Sequence, residues 1–306
     1  MSELKTESSI ESEIELKPNV LSNYTIDEFK ALTNNTKGYE KTFESNLNPT
    51  QPYIIRLDGC TFKAFTRGLK KPFDERITRA FICTTECLVE KFNACIGFCQ
   101  SDEITLVFHP NPNNKTDADL LFNGRIQKLC SVVGSFATAK FNGILLNENW
   151  DNMAPAIKMK MTGSNAFFDC RVFNVPDHKS AMQVVYWRHH FDCRRNAVNM
   201  IGHCHFTHKQ LHKVSVRRLI EKLKLEKNID ITSNFNRCDI FGSFSKRVLV
   251  NHIGYDPIKK KSVETMRYRV ESRVLDMTEN ESDMINLVMK PTWNEFDKKN
   301  INESVT

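Results

Sequence analysis

Two short stretches set carboxylates where the chain must change direction. Residues 52–58 read PYIIRLD, a β-rich run closed by Gly59, and GFCQSDEITLVFHP (97–110) breaks at Ser101-Asp102-Glu103 between two apolar runs. If the two runs lie side by side, Asp58 and Asp102 converge at one edge of a sheet. Paired carboxylates of that kind form a hard-cation site, suited to Mg²⁺ carrying a triphosphate. Gly59, with no side chain, lets its carbonyl approach a metal or phosphate closely. The same letters serve plainer ends, since Asp-Gly after a strand and Ser-Asp-Glu at a hairpin tip are both turn signals. Their joint occurrence in this element order favours the metal reading.

The elements that must position these groups follow from periodicity. Asn23 and Thr25 offer caps for a first helix over IDEFKALTN, and residues 33–51, rich in Asn, Thr and Ser, read as a loop. KPFDERITRAFICTTECLVEKFNA (71–94) is helical, with Pro72 in its first turn and apolar residues at three- and four-residue steps. NPNNKTD is a loop before a second core helix over 117–142, and AFFDCRVFNVP (166–176) is the fourth strand. Asp177 caps a helix running to about residue 202. The order strand, helix, strand, strand, helix, strand is the split βαβ, ferredoxin-like plan of an α+β protein, with helical and basic additions C-terminal to it. VSVRRLIEKLKLEK (214–227) is a basic helix, and 228–275 is strand-like and basic. The expected organisation is a disordered acidic tail over 1–20, a catalytic domain over 21–202, a basic region over 203–275 and a polar tail over 276–306.

Composition narrows the class. The 306 residues are 40% hydrophobic and 26% charged, ordinary for a globular chain. No apolar run is read as long enough to span a bilayer, so no membrane partner is expected. The ten cysteines are scattered without a CxxC pair, which fits a reducing, cytoplasmic setting. Within the first twenty residues five glutamates face two lysines, so the rest of the chain is more basic than the net charge of +6. A basic body suits nucleic acid as well as a merely solvated surface. His203, His205, His208 and His212 crowd around Cys204, and His208 and His212 sit at a zinc-compatible spacing. Without a cysteine pair or H-E-x-x-H, an RNA-contacting or structural loop is the better reading.

Five motifs in order carry a resemblance: Arg56-Leu57-Asp58-Gly59-x-x-Phe62, Lys71-Pro72-x-Asp74, Ser101-Asp102-Glu103, Phe168-Asp169-x-Arg171-Val172 and Trp187-Arg188. They are similar to the signature set of the tRNA-His guanylyltransferase family, which includes guanylyltransferase-like proteins that polymerise in the 3′-to-5′ direction. The resemblance covers roughly residues 50–250. It implies a polymerase-like palm in which two Mg²⁺ ions are held by Asp58, the Gly59 carbonyl and Asp102. It also implies activation of an RNA 5′-phosphate with ATP or GTP, then attack on it by the 3′-hydroxyl of an incoming NTP. Lys63, Lys71 and Ser101 would hold triphosphate oxygens. Arg125 and Lys128 match basic positions serving activation or the RNA end, with Arg171 and Arg188 in similar roles. Read without the resemblance, Arg125 and Lys128 are equally one solvated helical face. The family also implies tRNA as partner and a homotetramer.

The chain departs from the family where His-Ile-Asn-Asn-Leu-Tyr-Asn follows the Trp-Arg motif. Here the segment is Asp192-Cys193-Arg194-Arg195-Asn196-Ala197-Val198-Asn199. Asn196 and Asn199 remain, the histidine and tyrosine do not, and Arg194 and Arg195 suit backbone phosphate. This form resembles the guanylyltransferase-like branch, which implies repair or editing of 5′-truncated tRNA in place of dedicated tRNA-His recognition. Three other readings stay open: a nucleotide cyclase on the same topology, a non-catalytic tRNA-binding protein, and a structural ferredoxin-like module.

Overall fold

The computed structural model describes residues 25–42, 44–110, 120–258, 260–275 and 281–297. The expected acidic tail over 1–20, the 111–117 loop and the first residues of the second core helix lie outside them. The chain divides into two units, Met1–Glu44 and Ser45–Thr306.

In the first unit, helix α1 (Ile26–Lys41) opens on a capping box. The Glu28 amide donates to Thr25 Oγ1 (3.3 Å), and the Thr25 amide donates back to Glu28 Oε2 (2.8 Å). The helix runs through Asn34–Lys41, where the sequence reads as loop. Thr33 and Thr36 hydroxyls donate to the carbonyls four residues earlier, so these polar residues bond to their own helix and do not end it.

The second unit is built on one six-stranded sheet. Strands β1 (Tyr53–Gly59), β2 (Ile96–Gln100), β3 (Glu103–Phe108), β4 (Phe168–Asn174), β5 (Ser243–Asp256) and β6 (Lys261–Arg273) lie in the order β4-β1-β3-β2-β5-β6, every neighbouring pair antiparallel. The helices are α2 (Phe62–Phe65), α3 (Glu75–Phe92), α4 (Ile126–Leu146), α5 (Pro155–Thr162), α6 (His178–Tyr186), α7 (Arg194–His205), α8 (His208–Leu211), α9 (Val216–Lys227), α10 (Arg237–Phe241) and α11 (Glu281–Met289). A π-helical segment, Trp187–Cys193, joins α6 to α7 without a break, so the helix capped by Asp177 continues to His205. Pro72 precedes α3 and lies outside it; Asp74 is the cap, accepting from the Arg76 amide.

Strand alternation divides the core in two. From β1, Ile55 and Leu57 join the α3 and α4 cluster of Phe81, Leu88, Val133 and Phe141. Ile54 joins the opposite cluster with Met182 and Val185 of α6 and Leu287 and Val288 of α11. Arg56 and Asp58 share the Ile54 side, so the charged end of β1 emerges beside α6 and the π-helical segment. A third cluster packs α7, α9 and α10 through Val198, Ile201, Leu219, Leu223 and Ile240.

Three sequence expectations change. By length and composition α4 is apolar enough to cross a bilayer. Here it lies on the sheet with Leu129, Val133, Ala137, Phe141 and Leu145 buried. Arg125 is its N-cap and not a member of its face. Residues 281–297 are no polar tail, because Trp293 is fully buried and donates to the Glu271 carbonyl (2.9 Å). Fully buried Lys246 donates to the Leu287 carbonyl (2.7 Å), and His109 Nε2 meets the Val288 carbonyl at 3.0 Å. These two side chains take up carbonyls at the C-terminus of α11 that the helix leaves without partners.

Candidate active site

Asp58 lies near the end of β1, directly across from Glu103 on β3 and Asp169 on β4. The Gly59 amide donates to the Asp102 carbonyl (2.9 Å), which ties the hairpin tip to the end of β1. Ser101 turns that corner with φ of +50° and donates from Oγ to Asp102 Oδ1 (3.1 Å). Burial, reinforced by the negative charge of Asp58, pushes the Asp102 carboxyl up. Gly59 is required by packing as well as by approach. A Cβ there would sit 2.6 Å from Phe62 Cε2, and the Phe62 ring packs against Phe65, Phe81, Phe141 and Phe168.

Charges of alternating sign run away from Asp58. Arg56 Nη2 donates to Asp58 Oδ2 (2.8 Å) and also to Glu103. Glu103 Oε2 accepts from Arg188 Nη1 (2.8 Å), which also donates to buried Asp192 (2.9 Å). Asp192 in turn accepts from Arg195 (2.5 Å). Burial pushes the Glu103 carboxyl up, against the pull of Arg188 and Arg56. An acid held between two guanidinium groups is an anchor, since losing one partner would strand the other in a buried place. Glu103 belonged to a recognised motif, yet neither it nor Asp192 stood out as functional in the sequence. The signal was an acid embedded in the Arg- and His-rich run 187–195.

One cavity of about 890 Å³ gathers Lys63, Lys71, Ser101 and Asp102. Its walls come from α3 (Ile77, Phe81), α7 (Asn196, Met200) and α10 (Asp239). Lys63 rides on α2, a single turn entered through Thr61 at φ +55°, a backbone state costly for a β-branched residue and common at functional sites. Asp239 was not anticipated; Thr78 donates to it (2.7 Å) while burial pushes its carboxyl up. Asp74 also lines the cavity, gripped by the Arg76 fork at 2.9 and 2.7 Å.

Other expected site residues fall elsewhere. Arg125 forms a bridge with Asn46, and the Leu47 amide donates to the Gly124 carbonyl (2.9 Å). At the other end of α4, Asn142 bonds Ala166, just before the β4 residues that pair with Gly59. Arg125 and Lys128 are not among the residues that line the cavity with Lys63, Lys71 and Ser101; Lys128 stands 5.4 Å over the Phe122 ring. Arg171 pairs loosely with Asp169 (3.3 Å) on the exposed edge strand. Arg194 turns to the Phe241 ring (5.1 Å), leaving Arg195 the more outward of the two. His203 and His208 line the cavity with ring centroids 6.0 Å apart, while His205 and His212 are not among its lining.

Among the described residues no three His, Cys, Asp or Glu side chains gather around one point. That donor set does not suit zinc, which takes four protein ligands or three plus water. It does suit Mg²⁺, which binds through one or two carboxylates and completes its shell with phosphate and water. The proximity of the Asp58 and Asp102 carboxylates, the second pushed up by burial and by the first, is a charge conflict that a divalent cation relieves.

A family model described as tRNAHis guanylyltransferase (Thg1) matches residues 33–176. An uncharacterized protein of Acanthamoeba polyphaga mimivirus, R259, is 32% identical over 245 residues, 77% of this chain and 82% of that protein. The tRNA(His) guanylyltransferase of Saccharomyces cerevisiae is 24% identical over 164 residues, 52% of this chain and 64% of the yeast protein, so the chain spans just under two thirds of that relative. Among solved structures, a bacterial tRNA(His) guanylyltransferase (Thg1)-like protein in complex with ATP is 28% identical with a TM-score of 0.60. The match covers 70% of this chain and 87% of that one.

Proposed function

The chain belongs to the tRNAHis guanylyltransferase (Thg1) family, and from that premise we propose that it is a 3′-to-5′ nucleotidyltransferase that extends the 5′ end of truncated tRNA against a template. The observation that carries this reading is the convergence of Lys63, Lys71, Ser101 and Asp102 in one cavity at the end of the β1–β3 pair. We read β4-β1-β3-β2 with α3 and α4 as a ferredoxin-like palm.

In the proposed reaction Asp58, Asp102 and the Gly59 carbonyl would hold Mg²⁺, which when bound supplies charge neutralisation along the phosphates. Lys71 and Lys63 place point charges on the NTP triphosphate, and the Ser101 hydroxyl adds a hydrogen bond. The apolar wall of Phe81, Ile77 and Met200 receives the nucleoside and excludes water. Arg56 fixes the Asp58 carboxylate through Oδ2, which would leave Oδ1 free to turn to a cation. Phosphoryl transfer asks chiefly for such positioning and charge, so no general base is invoked.

The test is incubation with a 5′-truncated, 5′-monophosphorylated tRNA, ATP and all four NTPs, followed by sequencing of the 5′ end. Additions should follow the opposing template base and stop when the acceptor stem is fully paired. Guanylate addition to full-length tRNA-His alone, with failure on the truncated set, would replace this reading with a dedicated tRNA-His guanylyltransferase.

A further inference from the structure

The segment between α6 and α7 does more than connect them. Over Trp187–Cys193 the helix widens to a π-helix, a form that recurs at functional sites. Trp187 and Phe191, one turn apart, are 47% and 55% exposed. Arg195 follows at the same four-residue step, its side chain 56% exposed. Large aromatics are seldom left this open without a partner, and two in succession ending on an arginine form a stripe of defined chemistry.

The stripe is bound rigidly to the candidate active site. The Arg188 guanidinium sits 4.8 Å from the Trp187 ring centroid and donates to Glu103, which shares Arg56 with Asp58. Phe191 is braced edge-on by Tyr186 (6.0 Å) and His190 (4.9 Å), the last two stacked on each other at 5.0 Å. Arg195 is fixed by buried Asp192 at 2.5 Å, and the next residue, Asn196, lines the nucleotide cavity. The aromatics are thus held by contacts that do not use up their exposed faces, on a segment that reaches the candidate site through Arg188 and the cavity through Asn196.

We infer that the Trp187–Phe191–Arg195 stripe is a platform for unpaired RNA nucleotides, with bases stacked on Trp187 and Phe191 and a backbone phosphate on Arg195. Stacking on exposed aromatics beside a cation is how single strands are held without sequence preference, because every base has a π-face. Charge favours this occupant in a chain of net +6. The inference rests on the template-dependent reading above. There, the bases opposite a missing 5′ end are unpaired, and they must lie next to the nucleotide they select.

The protein carries its own reporter. Of its three tryptophans, Trp150 and Trp293 are 2% and 0% exposed, so quenching of tryptophan emission by a nucleobase reports on Trp187. An eight-nucleotide single-stranded RNA should quench the full-length protein, and a blunt duplex of the same sequence should bind with little quenching. Trp187→Phe should keep single-strand affinity and lose the signal. Phe191→Ala should weaken single-strand binding roughly tenfold and leave duplex binding unchanged. Phe191→Leu, which keeps bulk and loses the ring, should do the same should the alanine variant melt early. Equal binding of an abasic oligonucleotide and the intact one would overturn the inference. So would a Phe191→Ala protein that drops from a dimer to a monomer by light scattering at unchanged RNA affinity, which would make the stripe a contact between copies. None of these readouts needs catalysis. Quenching that survives a failure of 5′ addition would sink the proposed reaction and keep the platform, and the reverse outcome would do the opposite.

Discussion

At the scale of single residues, the site depends on two carboxylates that differ in surroundings. Asp58 is tied to Arg56, whereas half-buried Asp102 faces a like charge with only Ser101 as a side-chain donor. Each removes part of a cation shell when lost, so Asp58→Ala and Asp102→Ala should each cut nucleotide addition by more than about a hundredfold, or about 2.7 kcal/mol. Melting temperatures should stay near wild type. A variant that kept a tenth of the rate would remove its residue from the proposed metal shell. Because the Asp102 carboxyl is pushed up, its ionised form disappears at a higher pH than an ordinary aspartate's. The acid limb of the pH–rate profile should accordingly lie above the usual carboxylate range and shift with Mg²⁺ concentration. A limb that ignored Mg²⁺ would place the titrating group elsewhere.

At the scale of elements, the expected basic residues divide between the cavity, which takes Lys63 and Lys71, and the start of α4, which carries Arg125 and Lys128. Lys71→Ala should raise the KM for NTP several-fold, since a lysine point charge on a triphosphate is lost. Arg125→Ala and Lys128→Ala, which remove side chains that do not line that cavity, should leave that KM unchanged. A matching rise in KM for Arg125→Ala would mean that Arg125 reaches the same triphosphate. The central strands were legible in the sequence because β-branched and apolar runs such as Tyr53–Leu57 and Ile104–Phe108 end on turn residues. The convergence of Asp58 with Asp102 was legible for the same reason. What stayed hidden was long-range: Glu103 reads as a turn residue until Arg188, 85 positions away, is seen to hold it. α11 was hidden in a stretch that reads as polar, because among the described residues only four apolar side chains of its neighbourhood (Met284, Leu287, Val288 and Trp293) are buried, against partners that include residues of β5 and α6. Polar side chains misled over α1, where threonines bond within the helix they were expected to end.

At the scale of the whole molecule, the Ile54 face of the sheet is completed from the C-terminal side by α11 and Trp293. Trp293→Ala should cost about 3–5 kcal/mol, the range for a large buried aromatic, read as a fall in denaturation midpoint. His109 gives that face a pH dependence. Burial, with His178 and Lys246 nearby, lowers its pKa to about 4 from an ordinary 6.5. The unfolded chain takes up this proton below about pH 6.5 and the folded chain resists it down to about 4, so stability falls as pH drops through that window. The loss is on the order of 3 kcal/mol for the single group. His109→Gln should flatten the pH dependence of the melting temperature between pH 6.5 and 4. An unchanged slope would assign the effect to other groups.

The clasp of α11 by Lys246 and His109 also has a temporal side. During synthesis, β3 and β5 leave the ribosome before the residues that take up their buried cation and imidazole. A nascent chain released up to Arg273 holds all six strands, yet it carries a lysine aimed at a carbonyl that has not been made. The sheet's second face is therefore sealed only once α11 and Trp293 have been made, and until then it presents Ile54, Ile96 and Phe244 to whatever is at hand. Ribosome-bound chains arrested near residue 275 should be cut by protease at sites that the full chain protects, so the arrival of α11 decides when the molecule becomes resistant.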